Sequence, residues 1–331
     1  MNRQQPYLSA LILLLSFAGG CIPDAPHDNP LDPSSRAFSE SGTVSGKVLS
    51  YYEPFGAIAG ALVSVQSTGA STLTNSSGAF LIAGVPAGKT SLIVSRAGYR
   101  NDTVAVDINI GYEIKITSHL DALPLVGSCQ VVTRKIDQWW PRAVYSALVS
   151  GAVTDPDGLG DISGATLQVD TMKFQMSYVP DLQSYQATIN ASILPQGNLE
   201  WLVGKAFSVI GRDKVGAATT GKSFFVSRII QDAPIPLYPT ALDTATATPE
   251  LYWAQPTLQF SYTLKLEMYR LDQGLPSLIW SLSNLPPALS SYQYPDRLPV
   301  GTFFWTISVI DEYGNLSRSK EASFVIQEPV L

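Results

Sequence analysis

The chain has 331 residues, 45% of them apolar and only 15% charged, with 21 Lys and Arg against 27 Asp and Glu for a net charge of −6. Such a composition fills two or three cores and is not that of a disordered chain. Mild acidity without a run of like charge excludes nucleic acid from the expected partners. With two cysteines, Cys21 and Cys129, and two histidines, His27 and His119, a Cys/His zinc cage is excluded. A serine–histidine triad would have to use His27, in a tether, or His119, on a predicted strand, and both are expected to be solvated or simply packed.

The chain opens with Arg3 and an uncharged apolar run, Leu8 to Phe17, followed by Ala18, Gly19, Gly20 and Cys21. The run is short of the roughly 20 residues a membrane span needs, and the outline is that of a secretory signal peptide. Its end resembles the lipobox of bacterial lipoproteins, with Ala18 where leucine is commoner. That resemblance implies removal of residues 1–20 and acylation of Cys21, which becomes the first residue and anchors the chain to a membrane. A cut at another small-residue site would instead give a plain secreted protein. Ile22 stands where the family's inner-membrane retention signal has aspartate, so the resemblance points to the outer membrane, periplasmic or surface-facing. If Cys21 is acylated, Cys129 has no partner within the chain and the domains fold without a disulfide.

Residues 21–41 form the tether behind that cysteine. They carry Pro23, Pro26, Pro30 and Pro33 without periodicity, which predicts an extended spacer. Asn29 to Pro33 is similar to a tether motif of some lipoproteins.

Residues 42–124 predict a small all-β domain. Val44, Gly46 and Val48 alternate with polar residues, as do Ala61, Val63 and Val65, Phe80 and Ile82, Leu92 and Val94, Val104 to Ile108, and Ile114 and Ile116. Turn signals at Ser76-Ser77-Gly78, Val85 to Gly88 and Ala97-Gly98 separate about seven strands, which suits a sandwich. The order Gly42 to Val48, Gly60 to Val65, Thr74, Gly78 to Ile82, Val85 to Gly88, Leu92 to Val94 and Ala97-Gly98-Tyr99 resembles the carboxypeptidase regulatory-like domain. The resemblance implies a transthyretin-like sandwich and no activity of its own.

Residues 125–143 read as a connector ending in Trp139-Trp140-Pro141. Adjacent tryptophans on an extended segment point to opposite faces. They either plug a domain interface or offer a stacking platform to a sugar ring or peptide. Residues 144–228 predict an immunoglobulin-like β-sandwich that closes with Phe224-Phe225-Val226. Its loop Asp155-Pro156-Asp157-Gly158-Leu159-Gly160-Asp161 holds three carboxylates. Two readings stand for it: a tight turn, which favours Asp, Pro and Gly for backbone reasons, or a calcium site at Asp155, Asp157 and Asp161.

Residues 233–328 resemble a fibronectin type III-like sandwich through Leu251-Tyr252-Trp253, Tyr262 to Leu266, Leu298 to Val309 and Ser323 to Ile326. Trp253 and Trp305 are expected in its core, and Trp280 is a candidate for the surface. An internal repeat supports two domains of one architecture in tandem: Asp213 with Gly216 answers Asp311 with Gly314 at an offset of 98 residues. The short link Ile229 to Ala233 predicts limited bending.

The expected fold is therefore all-β: three tandem immunoglobulin-like β-sandwiches behind a lipoprotein signal peptide and a proline-rich tether. The expected function is non-catalytic display at the bacterial envelope. A membrane-anchored lipoprotein would hold binding loops out to an envelope protein or a glycan, with Trp139, Trp140, Tyr313 and Asn315 as candidate contacts. The alternatives are a purely structural envelope-assembly lipoprotein, a calcium-dependent adhesion module or a hydrolase accessory protein. Calcium is the only cofactor in view. An enzyme is the weakest reading, because no nucleophile motif appears and the aspartates cluster in turn-like loops.

Overall fold

The structure is a computed structural model that describes Asn29, residues 32–35 and residues 40–328. The leader 1–20, the lipidation candidate Cys21 and His27 lie outside the described residues. The chain divides into two compact units, residues 1–121 and 122–331. No helix among the described residues is long and apolar enough to cross a membrane.

The first unit holds seven strands: β1 (Ser41–Ser50), β2 (Leu62–Val65), β3 (Ser71–Leu73), β4 (Ala79–Pro86), β5 (Gly88–Ser95), β6 (Asp102–Ile108) and β7 (Glu113–Leu120). They form two sheets, ordered β4-β1-β7 and β3-β2-β5-β6. The period-two pattern puts Val44, Val48, Phe80 and Ile82 of one sheet against Val63, Val65, Leu92 and Val94 of the other in a common core.

Two glycines and one threonine explain the fixed residues of this domain's pattern. A Cβ on Gly46 would lie 2.0 Å from the Ile116 carbonyl oxygen, so β1 and β7 approach only without a side chain there. Gly78 turns into β4 at φ +72°, where other residues are strained. Thr74 is buried, donates its hydroxyl to the Ile58 carbonyl at 2.6 Å and accepts the Ala61 amide at 2.8 Å.

The second unit carries two sandwiches. One is built from β8 (Leu125–Ile136), β9 (Val144–Thr154), β10 (Ile162–Val169), β11 (Met172–Val179), β12 (Ser184–Asn190), β13 (Phe207–Asp213) and β14 (Ala218–Thr220), with only 3-10 turns between strands. Strand β11 bends the sheet back on itself. Its first half pairs with β10 and its second half with β12, which encloses Val149, Leu167, Ile189, Leu199, Leu202 and Phe207.

The third sandwich comprises β15 (Ile235–Tyr238), β16 (Asp243–Ala245), β17 (Glu250–Ala254), β18 (Tyr262–Asp272), β19 (Leu275–Leu285), β20 (Ser291–Gln293), β21 (Gly301–Asp311), β22 (Leu316–Arg318) and β23 (Ala322–Ile326). The small sheet β15-β17-β20 closes over the long β21 and β18. Trp253 and Trp305 lie in the core as expected, edge to face at 6.4 Å. The Trp305 indole donates to the Pro239 carbonyl at 2.9 Å.

Two expectations are corrected here. Residues 125–143 are not a connector: Leu125 to Ile136 is a strand paired along β9, and only 137–143 is loop. A bulge between Val126 and Cys129 shifts the side-chain alternation, so the segment shows no clean period two. Phe224 to Val226 is not a closing strand either: Phe224 makes a single bridge to Phe207, and its ring packs on the Phe207 ring.

Strand β22 pairs in parallel with β8, Leu316 opposite Arg134 and Arg318 opposite Ile136. One continuous path of strands therefore runs β12-β9-β8-β22-β21-β18-β19 through both sandwiches of this unit. Asn315, just before β22, is wholly buried at this seam. Its Oδ1 accepts the Thr133 amide at 2.8 Å, and its Nδ2 donates to Ser227 Oγ at 2.9 Å and Asp311 Oδ2 at 3.0 Å. Arg228 pairs with the buried Asp311 carboxylate at 2.7 Å and lies 3.9 Å over the Phe260 ring. Burial opposes the Arg228 charge, but bonds to Glu312 and Asp311 outweigh it and raise its pKa above the usual value.

Removing the Asn315 amide leaves the Asp311 carboxylate and the Thr133 amide short of partners in a dry seam. Asn315→Ala is expected to lower the unfolding free energy of this unit by about 2–4 kcal/mol. Urea melts followed by tryptophan fluorescence check it, since all six tryptophans lie between Trp139 and Trp305. Cys129, half-buried on β8, has its thiol pKa raised by burial. Its alkylation at pH 8 is expected to be slower in the folded chain than in urea, as read by mass spectrometry of the peptide that carries it.

Candidate functional site

The loop 137–143 joins β8 to β9 and carries both candidate tryptophans at its tip. Neither plugs an interface: Trp139 is 67% exposed and Trp140 is 84% exposed. Trp139 is nevertheless held in place. Its indole Nε1–H donates to the Glu321 carbonyl at 2.7 Å, and Lys320 Nζ lies 4.4 Å from the ring centroid. The backbone leads the loop there, because the Asp137 amide continues the β8–β22 seam by donating to the Arg318 carbonyl at 3.0 Å.

Beside Trp139 opens a cleft of about 350 Å³, lined by Asp137, Pro234, Pro236, Thr240, Lys320 and Glu321 among others. Its walls come from β15 and from the segment leading into β23. They join apolar proline and tryptophan faces to a cation and to carbonyl and carboxylate oxygens. Such a surface can stack a planar or sugar-ring face and hydrogen-bond its edges.

Tyr313 and Asn315, two residues apart in the chain, face different surroundings in the structure. Tyr313 is 49% exposed at the tip of the hairpin after β21. Its carbonyl accepts from Gln130 Nε2 at 2.8 Å, and it borders a shallow hollow with Cys129, Ser150 and Gln183. Asn315 is corrected from a candidate ligand contact to a structural residue, because every polar atom of its side chain is spent within the seam. Trp280 is half-buried against Tyr292 and Tyr294 at the edge of the third core. His119 packs edge-on to Phe55 at 4.9 Å, with Nδ1 3.0 Å from the Ser50 carbonyl oxygen.

The acidic loop does converge. Asp155, Asp157 and Asp161 each present a carboxylate oxygen within 4.8 Å of the others. The turn is real too: the Asp157 amide donates to Asp155 Oδ1 at 2.9 Å, and the Gly158 amide donates to the Asp155 carbonyl at 3.0 Å. Asp157 Oδ2 accepts the amide of Ala122, just before β8, at 2.9 Å. A fourth carboxylate, Asp213 at the end of β13, lies within 4.8 Å of Asp161. Asp213 stands out in sequence only as a turn residue of the repeat, and the signal that it belongs here is its pairing register, Asp213 opposite Ile162 next to Asp161. Burial raises the Asp155 pKa, and the charges of Asp161, Asp157 and Asp213 add to the rise.

Comparison with known proteins bears on the first unit above all. Residues 43–121 match the family model of the carboxypeptidase regulatory-like domain. A search of curated proteins returns no match. Among solved structures, the Bacillus anthracis TIE protein is similar at 10% identity and a TM-score of 0.27 over 87% of this chain, which spans about half (49%) of that protein. BcpA, the major pilin subunit of Bacillus cereus, is similar at 11% identity and a TM-score of 0.28, over 87% of this chain and 94% of the other. The fibronectin(III)-like modules of Clostridium thermocellum CbhA are similar at 11% identity and a TM-score of 0.29, over 62% and 93%. At these TM-scores the likenesses say nothing of what this chain does. The chain thus carries a segment that matches the carboxypeptidase regulatory-like domain, residues 43–121, followed by two further β-sandwiches.

Proposed function

We propose that this protein is a non-catalytic lipoprotein, anchored through Cys21, that displays β-sandwiches at the bacterial envelope and captures a glycan or protein partner there. The observation that carries the reading is the Trp139 ring. It is largely exposed yet fixed by Glu321 and Lys320 beside a cleft. Leaving a large apolar ring in water is costly, and holding it rigid there lowers the entropy lost on binding. Tryptophan is also the residue type most enriched among those that dominate binding energy. Of the four candidate contacts, Asn315 is withdrawn because its side chain has no free atom to offer, and the Trp139–Trp140 loop carries the proposed contact surface.

The double variant Trp139→Ala, Trp140→Ala in the full chain is expected to retain its melting curve while losing at least about tenfold of its capture from an envelope extract. Protease and glycosidase treatment of the extract then separates a protein partner from a glycan. Equal capture by the variant would remove the proposal. Anchoring is tested separately: Cys21→Ser is expected to move the chain from the membrane fraction to the soluble fraction or to leave it unprocessed.

A further inference from the structure

The geometry points to a calcium site formed by Asp155, Asp157, Asp161 and Asp213 where the β9–β10 loop meets the β13–β14 hairpin; it is independent of the binding function proposed above. Convergence of carboxylates is the first observation. Asp155, Asp157 and Asp161 each present an oxygen within 4.8 Å of the others, and Asp213 presents one within 4.8 Å of Asp161. Oxygens that far apart are the span expected of ligands facing each other across one ion at about 2.4 Å.

The second observation is independent of the clustering. Asp155 is only 8% exposed and Asp213 only 1% exposed, yet Oδ2 of each is buried without a hydrogen-bond partner. In both residues Oδ1 is already committed to the backbone. Asp155 Oδ1 accepts from the Asp157 amide, and Asp213 Oδ1 accepts from Gly216 at 2.6 Å and Ala217 at 2.7 Å. Each carboxylate therefore holds its own loop with one oxygen and leaves the other, desolvated, among the neighbouring acids. A buried anion without a partner is strongly disfavoured.

The repeat shows what normally compensates such a group. Asp311 occupies the position of Asp213 in the third sandwich and makes the same turn, with Oδ1 accepting from Tyr313 at 3.0 Å and Asn315 at 2.9 Å. Its Oδ2 is neutralised by Arg228 at 2.7 Å and bonded by Asn315. Among the described residues no lysine or arginine pairs with Asp155 or Asp213. A bound cation supplies the missing charge. The donors are all hard oxygens, with no histidine or thiolate, which suits calcium, whose coordination number and geometry are less strict than the octahedron magnesium demands.

The test uses the full chain stripped with chelator. Calorimetric titration with Ca²⁺ is expected to show saturable binding. Saturating Ca²⁺ is expected to raise the tryptophan-monitored melting temperature by about 5–10 °C, by mass action on the folded state. Asp155→Asn and Asp213→Asn keep an oxygen for the loop amides but remove a charge. In chelator each is expected to melt at or above the wild-type temperature, and each is expected to lose most of the Ca²⁺ shift. Asp272→Asn, on an exposed aspartate, should keep it. No heat of binding together with identical melts in Ca²⁺ and chelator would overturn the site. So would a full Ca²⁺ shift in both Asn variants, and an equal response to Mg²⁺ at the same concentration would overturn calcium as the ion. If the variants fail to fold, the wild-type titration decides alone.

Discussion

The second unit depends on a buried side-chain amide. Asn315 joins Thr133 of β8, Ser227 of the link between sandwiches and Asp311 of β21 at one point. A parallel strand pair as short as β8–β22 has few backbone bonds to hold it. In a seam closed to water, each unmet polar group would cost more than a made bond returns, so the network is held together by the cost of breaking it. Arg228 completes it by bringing a cation to Asp311 while its planar face rests on Phe260.

That seam also positions Trp139. Because β8 continues alongside β22, the backbone beyond Ile136 runs past Arg318, and Trp139 arrives against Lys320 and Glu321. A tryptophan on an unsupported loop would sample many orientations. Here the ring is presented in one orientation with its face available. The same hairpin that carries Tyr313 to the surface turns Asn315 inward, so two residues apart in the chain serve opposite ends: contact with solvent and closure of the seam.

The two hairpins of the repeat illustrate how one local device takes two roles. Asp213 and Asp311 both fold their turns by accepting two backbone amides on Oδ1. What differs is the charge each carboxylate meets, Arg228 beside Asp311 and the Asp161 carboxylate beside Asp213. The turn is encoded locally by Asp and Gly at fixed spacing. The partner is supplied by loop segments distant in sequence, and nothing in the hairpin itself specifies it.

By itself, the sequence determined the all-β class, the three cores and the first domain's identity. Period-two alternation, glycines such as Gly46 and Gly78, and core tryptophans act through neighbours within a strand or a turn, and local patterns report them. Only the tertiary structure decided that Leu125 to Ile136 is a strand, because a bulge masks its alternation and its pairing is what makes it β. Likewise, it alone decided that Asn315 is internal, that Trp139 is exposed yet fixed, and that Asp213 joins the acidic loop. Each of those outcomes rests on contacts between residues tens to nearly two hundred positions apart, as with Thr133 and Asn315 or Trp139 and Glu321. Burial and hydrogen-bond satisfaction are properties of such contacts, so they take form only once the chain has closed on itself.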